Sequence, residues 1–350
     1  MKYLVVQDWD NTHGNHAGMV HMCRLLCHRY PEVYRIIVKG CPPIIKVRDN
    51  IFLRKVLGWL DRKRYKKEFV QDYMNICREM FSSLKYGDEV FLLEYNWPMT
   101  SQYELACYIK KNYQGVKLYA LSHLTPTYFE KQKKVRQRII RWDKPIDKHL
   151  TLGSSLTEYF ETIGIPATKI STGFHYVDLD YYKNLINEVN SPITIISIGA
   201  LQRDFELLAN IVKECNEVKW IICKGRKKID NMFEGLHNVQ LVGYIEEDDL
   251  KAYMGQADLS LNVLEDTVGS NVITTSMAMG LGIVVSDVGS IRDYCNESNS
   301  VFCKNTAESF IMAIKNLAKN RNNVMKMRKA SKEIADRFNI DKVNKWFNTL

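Results

Sequence analysis

The 350-residue sequence lacks a Cys-x-x-Cys pair, a long apolar run, a short-period repeat and a low-complexity segment. No apolar run is long enough to cross a bilayer, and Met1-Lys2-Tyr3 leads directly into the apolar residues LVV. The sequence therefore predicts neither a transmembrane helix nor a signal peptide. The nine cysteines are an odd number scattered through apolar contexts. This pattern favours reduced, buried thiols in a cytoplasmic protein over disulfides or a zinc site.

Length and apolar content predict two domains. The chain exceeds one ordinary domain, and its 46% of hydrophobic residues suffice for two packed cores. Strand-like and helical segments alternate in both halves, which predicts an α/β fold with parallel sheets covered by helices on both faces. The strand-like runs are 3–6, 34–38, 90–93, 116–121 and 149–152, and then 193–198, 218–223, 239–242, 259–264 and 283–285.

The excess of positive over negative charge lies entirely in the N-terminal half. Residues 1–185 contain 29 Lys and Arg against 19 Asp and Glu, whereas residues 186–350 contain 20 against 21. Residues 51–69 and 131–144 hold the densest basic stretches. In 51–69, aromatic and aliphatic residues are mixed with Lys and Arg, as in an interfacial helix on an anionic membrane. The alternative is a solvated helix whose apolar side packs on its own domain. Nucleic-acid binding is not expected, because no nucleic-acid motif accompanies the charge.

The segment 257–295 has the pattern of a phosphate-binding site. Residues 259–264 are typical of a strand covered on both faces of a parallel sheet. A helical segment at 272–279 follows after a loop of small and polar residues, among them Thr267, Gly269, Ser270 and Asn271. Ser270 or Asn271 can cap this helix and leave its first amides free to bind an anion.

This segment resembles the donor-sugar site of the retaining glycosyltransferases of family 4, which has the form E-G-x-S-N-A-L-L-E-A-M-A-x-G-x-P-V-V-x-T-D-V-G-G. The two glutamates of that pattern fall on Thr267 and Thr275, whose hydroxyls can bond a sugar or ribose hydroxyl but bring no charge. Glu265 and Asp266 lie just upstream and are candidates to replace the first glutamate. The matching residues are Ser270, Asn271, Met277, Ala278, Gly280, Val284, Val285, Asp287, Val288 and Gly289.

The resemblance extends over most of the chain. Residues 147–165 and 195–208 are similar to family strand and helix segments, and residues 175–182 to the H-G-V-D-x-D-x-F linker between the family's two domains. The resemblance implies two Rossmann-like, doubly wound parallel-sheet domains that face each other across a cleft, the GT-B fold. It places an acceptor-binding domain at 1–183, a nucleotide-sugar-binding domain at 184–335 and, at 336–350, a helix that crosses back to the first domain.

Roles for individual residues also follow from the resemblance. His123 matches the histidine near the transferred sugar and is the predicted catalytic residue, although a lone histidine after a strand is often structural. Arg203 and Lys224 are the predicted cations for the diphosphate, with Ala200 standing where the family usually has an arginine. His16 is placed on the acceptor side. The other donor-binding candidates are Gly18, Gly199, Tyr244, Ile245, Thr267, Gly269, Ser270, Asn271, Val272 and Thr275.

No metal and no cofactor are expected. Asp8-Trp9-Asp10 has the form of the Asp-x-Asp metal motif, but that motif belongs to a differently wound glycosyltransferase fold and needs a metal-bridged diphosphate. A nucleotide-diphosphate sugar is then a co-substrate, and amides with a cation can stabilise its departing phosphates.

The resemblance thus implies a retaining, metal-independent glycosyltransferase. It would move a hexose from a nucleotide-diphosphate sugar to a glycan or lipid-linked glycan in bacterial surface polysaccharide synthesis. A cytoplasmic location is expected, with peripheral attachment to the inner face of the membrane. Two alternatives stay open. One is a catalytically inactive protein of the same fold that binds a glycan or a partner enzyme, and the other is an epimerase or phosphorylase on the same architecture.

Overall fold

A computed structural model describes residues 1–9, 14–40, 51–80, 84–97, 100–132 and 134–350. It contains two six-stranded sheets. The elements of the first half are β1 Lys2–Gln7, α1 Met19–Arg29, β2 Tyr34–Lys39, α2 Ile51–Met80, β3 Glu89–Leu92, α3 Gln102–Asn112, β4 Lys117–Ser122, α4 Pro126–Glu130, α5 Val135–Asp143, β5 Lys148–Thr151, α6 Ser154–Thr162 and β6 Ile170–Thr172.

The second half has the same alternation of strands and helices. Its elements are β7 Thr194–Ile198, α7 Phe205–Glu214, β8 Lys219–Cys223, β9 Val239–Val242, α8 Glu247–Gly255, β10 Leu259–Asn262, α9 Asn271–Ala278, β11 Gly282–Ser286, α10 Ile291–Tyr294, β12 Ser300–Cys303, α11 Ala307–Lys319, α12 Arg321–Ala335 and α13 Ile340–Asn348.

Both sheets are parallel and doubly wound. The first has the order β2-β1-β3-β4-β5-β6 and the second β12-β11-β10-β7-β8-β9, and the strand pairs are parallel throughout. The strand order reverses between β1 and β3 in the first sheet and between β7 and β10 in the second. Ligands of open α/β sheets bind beyond the carboxyl ends of the strands at such reversals. The predicted fold class is confirmed.

Apolar residues on both faces of the central strands explain this architecture. In β1, Leu4 and Val6 belong to one buried cluster, while Tyr3 and Val5 belong to another on the opposite face. A strand that buries both faces needs helices on both sides, as in parallel α/β sheets. The strands β6 and β12 were not predicted, because both are short and only partly buried. The helix α2 is continuous over 30 residues.

The last helix, α13, packs on the first domain. The ring of Phe347 lies 4.5 Å from that of Phe91 between centroids, and the indole of Trp346 donates a hydrogen bond of 2.9 Å to Ser171. The predicted domain boundaries after residues 183 and 335 stay a prediction.

The two domains also contact each other through α6 and α10. The Ser154 amide donates to the Asp293 carboxylate at 2.6 Å, and the hydroxyls of Ser155 and Ser290 share a bond of 2.7 Å. The Tyr294 hydroxyl accepts from the His175 amide at 2.8 Å and donates to the Leu152 carbonyl. These bonds hold the carboxyl ends of the two sheets facing each other.

Two further sequence predictions concern the membrane and the cysteines. Of the helices described, none is both long and apolar enough for a membrane crossing. The cysteines whose side chains the structure describes are unpaired, and five of these seven are buried.

Candidate functional site

Two adjoining cavities lie between the domains at the carboxyl ends of the strands. The Arg203 cavity, of about 390 Å³, contains Arg203 and the start of α9. The Tyr244 cavity, of about 400 Å³, contains Tyr244 and the ends of β7, β8 and β9. Gly199 and Ala200 line both. A larger depression of about 860 Å³ lies at the amino ends of β7 and β8, the end of a parallel sheet that ligands do not use.

The Arg203 cavity brings together most of the predicted donor-binding residues. Both domains contribute, with the first supplying Trp97, His123, Thr125 and Tyr128. The predicted residues that line it are His123, Gly199, Arg203, Thr267, Gly269, Ser270, Asn271 and Val272. Gly18 and Thr275 line neither cavity.

The start of α9 offers two amides to this cavity. The Ser270 hydroxyl caps the helix by accepting from the Val272 amide at 3.2 Å, so this one of the three predicted phosphate-binding amides already has a partner. The amides of Ser270 and Asn271 have no partner among the described residues. Gly269 allows this turn because its φ is +98° and any Cβ would lie 2.1 Å from the Tyr294 ring. Two free amides at a helix start form an anion site.

Arg203 adds an uncompensated positive charge. Its Nε and Nη1 atoms are buried without a hydrogen-bond partner in the part of the chain that the structure describes. Burial lowers the pKa of its guanidinium to about 10, so the group is still charged at neutral pH. Gly199 lies beside it with φ of +98°, a backbone conformation that favours glycine. A buried charge without a partner is costly, and an anionic ligand would supply the missing partner.

The two threonines that replace the family glutamates bond to the backbone. The Thr267 hydroxyl donates to the Gly269 carbonyl at 3.1 Å and accepts from its amide at 3.0 Å. The Thr275 hydroxyl donates to the Val272 carbonyl at 3.2 Å inside α9. Both hydroxyls therefore serve the local fold of the loop and helix.

Of the two upstream acids, Asp266 reaches the cavity and Glu265 does not. Asp266 accepts from the Thr267 amide at 2.8 Å and, across the cleft, from the Thr127 amide at 3.1 Å. Glu265 instead lies 3.6 Å from the ammonium group of Lys131. Asp266 is thus the carboxylate available in place of the first family glutamate.

His123 lies on the first-domain wall of the Arg203 cavity, directly after β4. Its Nε2 atom lies 2.7 Å from the Leu93 carbonyl and 3.8 Å from the Glu94 carboxylate. A donated Nε2–H leaves Nδ1 as an acceptor in the neutral ring. Burial raises the pKa of Glu94, and the neighbouring His123 imidazole and a hydrogen bond from Trp9 partly offset this rise. The imidazole of His175, 6.1 Å away between centroids, is neutral because burial lowers its pKa to about 3.

The Tyr244 cavity has an aromatic edge and cationic groups. The Tyr244 ring is 48% exposed, and the Arg226 guanidinium lies 4.7 Å from its centroid. Ile245 lines the same cavity. The ammonium group of Lys224, predicted to bind the diphosphate, already lies 3.0 Å from the Asp230 carboxylate. Its charge is therefore compensated, in contrast to that of Arg203.

A half-buried carboxyl group, that of Glu247, lies in the same cavity. Burial, followed by repulsion from Asp248, raises the pKa of Glu247 to about 7, and the Tyr182 hydroxyl donates to it. The protonated and the ionised forms of the Glu247 carboxyl are therefore both populated near neutral pH.

His16 and Gly18 lie at the loop after β1. His16 lines the Tyr244 cavity, on the side of the predicted nucleobase contacts and away from His123. Gly18 precedes α1, and its amide donates to the Asn15 carbonyl at 2.9 Å. Asp10 lies outside the described residues, so the structure says nothing of the Asp8-Trp9-Asp10 motif as a whole.

Sequence reasoning missed several residues of the two cavities. Trp97 and Tyr128 stack with centroids 5.8 Å apart, and Glu247 is a half-buried carboxyl of the Tyr244 cavity. Glu94 lines neither cavity, but its carboxylate lies 3.8 Å from Nε2 of His123. Glu94 and Trp97 follow β3, next to the strand-order reversal, which is the signal that could have indicated them. Tyr128 and Glu247 lie in short helices, where no sequence pattern marks them.

A sequence model of the family described as Glycosyl transferases group 1 matches residues 192–320, which contain all six strands of the second sheet. No curated protein sequence matches the chain.

Solved structures share the architecture over the whole chain. HepE from Anabaena, in complex with UDP and glucose, has a TM-score of 0.70 and 13% identity, covering 100% of this chain and 98% of HepE. Sucrose-phosphate synthase from Thermosynechococcus elongatus has a TM-score of 0.75 and 10% identity, with 100% and 99% covered. The lipopolysaccharide outer core galactosyltransferase WaaB has a TM-score of 0.65 and 14% identity, with 100% of both chains covered. At such identities the likeness shows the fold, and the predicted GT-B architecture is confirmed.

Proposed function

We infer that the chain is a glycosyltransferase, because the group 1 model matches its second domain and the whole chain shares the GT-B fold of solved glycosyltransferases. From this premise, we propose that it is a retaining, metal-independent enzyme that moves a hexose from a nucleotide-diphosphate sugar to a glycan or lipid-linked glycan. Bacterial surface polysaccharide synthesis is the proposed setting, on the cytoplasmic side of the membrane.

One observation carries this proposal: the guanidinium of Arg203, whose buried Nε and Nη1 atoms have no partner among the described residues, lies in the same cavity as the free amides of Ser270 and Asn271. Negative charge develops on the departing phosphates during sugar transfer, and preorganised amides and a cation stabilise it. A diphosphate in the Arg203 cavity would pair with all three groups. The adjoining Tyr244 cavity would then take the nucleoside, with its base near Tyr244 and Ile245.

The first domain would hold the acceptor. His123 would bond the donor sugar or orient the acceptor hydroxyl through Nδ1, since its Nε2 atom faces the Leu93 carbonyl. The stacked rings of Trp97 and Tyr128 offer an apolar surface to a sugar ring. In the retaining reaction the acceptor attacks on the face from which the nucleotide leaves, and a phosphate oxygen takes its proton. The protein then mainly positions the two substrates and stabilises charge.

Calorimetry with UDP, GDP and ADP tests the proposal, followed by hydrolysis assays with the corresponding donors. HepE has been solved in complex with UDP-glucose, so UDP and UDP-glucose are the first pair to test. We expect one nucleotide diphosphate to bind more tightly than its nucleoside and to raise the melting temperature. Absence of binding by all three at millimolar concentration would contradict the proposal.

The rival function is a catalytically inactive GT-B protein that binds a glycan or a partner enzyme. The observation that favours it is the engagement of the Thr267 and Thr275 hydroxyls with the backbone, which leaves the second family glutamate without a substitute. Failure to bind any nucleotide would support this rival. Nucleotide binding followed by slow donor hydrolysis would support the enzyme.

We also propose that α2 attaches the enzyme to an anionic membrane surface. Val56, Trp59 and Leu60 are 43%, 50% and 46% exposed, and Lys63 lies one turn further along with its ammonium group 4.1 Å from the centre of the Trp59 ring. Apolar side chains beside cations suit the headgroup region of an anionic bilayer. The second basic stretch supports this less, because Val135, Ile139 and Trp142 of α5 are buried in their own domain.

Replacing Trp59 by serine should weaken binding to vesicles. Trp59→Ser removes a half-exposed ring, so we expect affinity for phosphatidylglycerol-containing vesicles to fall about 3- to 10-fold. Co-sedimentation with vesicles measures this. Met312→Ser is the matched control, because Met312 is 60% exposed on α11 in the other domain. Equal losses for both variants, or equal binding to neutral vesicles, would contradict the attachment.

A further inference from the structure

His16, His21 and Asp178 form a compact group at the lip of the Tyr244 cavity. The Nδ1 atom of His16 lies 3.2 Å from Oδ2 of Asp178, and Nε2 of His21 lies 2.8 Å from the same oxygen. The three atoms all lie within 4.8 Å of one another. Both imidazoles therefore converge on one carboxylate oxygen.

The surroundings hold these side chains in place. The other oxygen of Asp178 accepts from the amides of Asp180 and Tyr181, each at 3.1 Å. The His16 ring stacks on that of Tyr181 with a centroid distance of 3.6 Å and an interplanar angle of 7°. His21 projects from the first turn of α1. The group is thus preorganised by three separate parts of the chain: the loop after β1, a helix and the segment between the domains.

We propose that His16, His21 and Asp178 bind a divalent transition-metal cation of the zinc type. Two imidazole nitrogens and one carboxylate oxygen are a common ligand set for Zn²⁺, at about 2.0–2.2 Å in tetrahedral geometry. In such a tetrahedron neighbouring ligand atoms lie roughly 3.3 Å apart. The observed separations of 3.2 and 2.8 Å need only small changes to admit the ion. Binding needs each nitrogen that faces Asp178 to be unprotonated, so a proton carried there moves to the other ring nitrogen or to solvent.

This cation would lie outside the proposed transfer chemistry. None of the three side chains lines the Arg203 cavity, and His16 alone lines the Tyr244 cavity. The metal would hold the loop after β1 against Asp178 in the segment between the domains. It would thereby fix one wall of the Tyr244 cavity, and a water or another external ligand would complete the coordination.

Titration of the chelator-treated full chain with Zn²⁺ tests the site. We expect one equivalent to bind and the melting temperature to rise with Zn²⁺ concentration. His21→Gln and Asp178→Asn should each weaken the binding more than about 10-fold, since even partners behind a ligand affect metal affinity by 10- to 100-fold. His28→Gln is the matched control, because His28 lies on the same helix and is exposed.

Spectroscopy with Co²⁺ separates this site from the cysteines. Cobalt bound by nitrogen and oxygen should give visible ligand-field bands without thiolate charge-transfer absorption. Melting curves in chelator show whether each variant is folded. If His21→Gln does not fold, the isosteric Asp178→Asn still tests the proposal. Absence of stoichiometric binding, unchanged affinity in folded variants or a thiolate band would each overturn the proposal. These measurements need no nucleotide, so their outcome is independent of the proposed transferase activity.

Discussion

Replacing Arg203 by methionine should weaken UDP binding while making the unliganded protein more stable. A hydrogen bond to a charged group contributes about 1.5–3 kcal/mol, so affinity for UDP should fall roughly 10- to 150-fold. The free protein should gain about 1–2 kcal/mol of unfolding free energy, because a buried cation without a partner is removed and methionine keeps most of the volume. Calorimetry with UDP and denaturant unfolding of the free protein measure the two effects.

The opposite signs make this prediction specific. A damaged fold would lower both the affinity for UDP and the stability of the free protein. Removal of an unpaired charge that binds the phosphates would lower the affinity but raise the stability. Affinity for uridine, which has no phosphate, should be unchanged in Arg203→Met. Arg292→Met is the control, because Arg292 is exposed and already paired with Asp287 and Glu297 at 2.8 and 2.9 Å. Unchanged UDP affinity would remove Arg203 from the site, and lower stability of the free variant would show that its charge is compensated.

A proline at position 271 should remove one phosphate-binding amide and leave α9 intact. Asn271 is the first residue of the helix, where proline has the required φ and replaces an amide that makes no intrahelical bond. The preceding Ser270 has φ of −153° and ψ of 136°, the extended conformation that a following proline requires. We expect Asn271→Pro to bind UDP about 10- to 100-fold more weakly than Asn271→Ala does.

The comparison with Asn271→Ala isolates the amide. Both variants lose the asparagine side chain, but only proline also loses the N–H group. Far-ultraviolet circular dichroism and melting curves should be similar for the two, since the helix starts at the same residue in each. Equal UDP affinities in two folded variants would mean that the helix start does not bind the phosphates.

The alternation of elements and the cavity residues of the second domain were predictable because their signals are local. The apolar run that became β10 and the serine that caps α9 are read within a few residues of each other. Gly269 belongs to the same local signal, since its φ of +98° excludes most other residues. The lengths of elements were less predictable, as the continuous α2 and the short β6 and β12 show. In those segments, packing against the rest of the domain decides where the helix or strand begins and ends.

The charge state and accessibility of the site residues were not predictable. Arg203 and Lys224 look alike as basic residues at strand ends. Two guanidinium nitrogens of Arg203 are buried without a partner in the described part of the chain, whereas the ammonium group of Lys224 lies 3.0 Å from the Asp230 carboxylate. His16 was expected beside the acceptor, and the structure places it in the Tyr244 cavity next to His21 and Asp178. Its partner Asp178 is 162 residues away in the chain, so no local pattern connects them.

The sequence by itself determined the two doubly wound sheets, the capped helix at Ser270 and the predominance of positive charge in the first half. Periodicity, capping and composition are properties of neighbouring residues, and they are present before the chain folds. Only the tertiary structure decided which cation lacks a partner, which amides stay free and which histidines meet one carboxylate. Those properties depend on burial and on distances between residues far apart in sequence, which exist only once the two domains face each other.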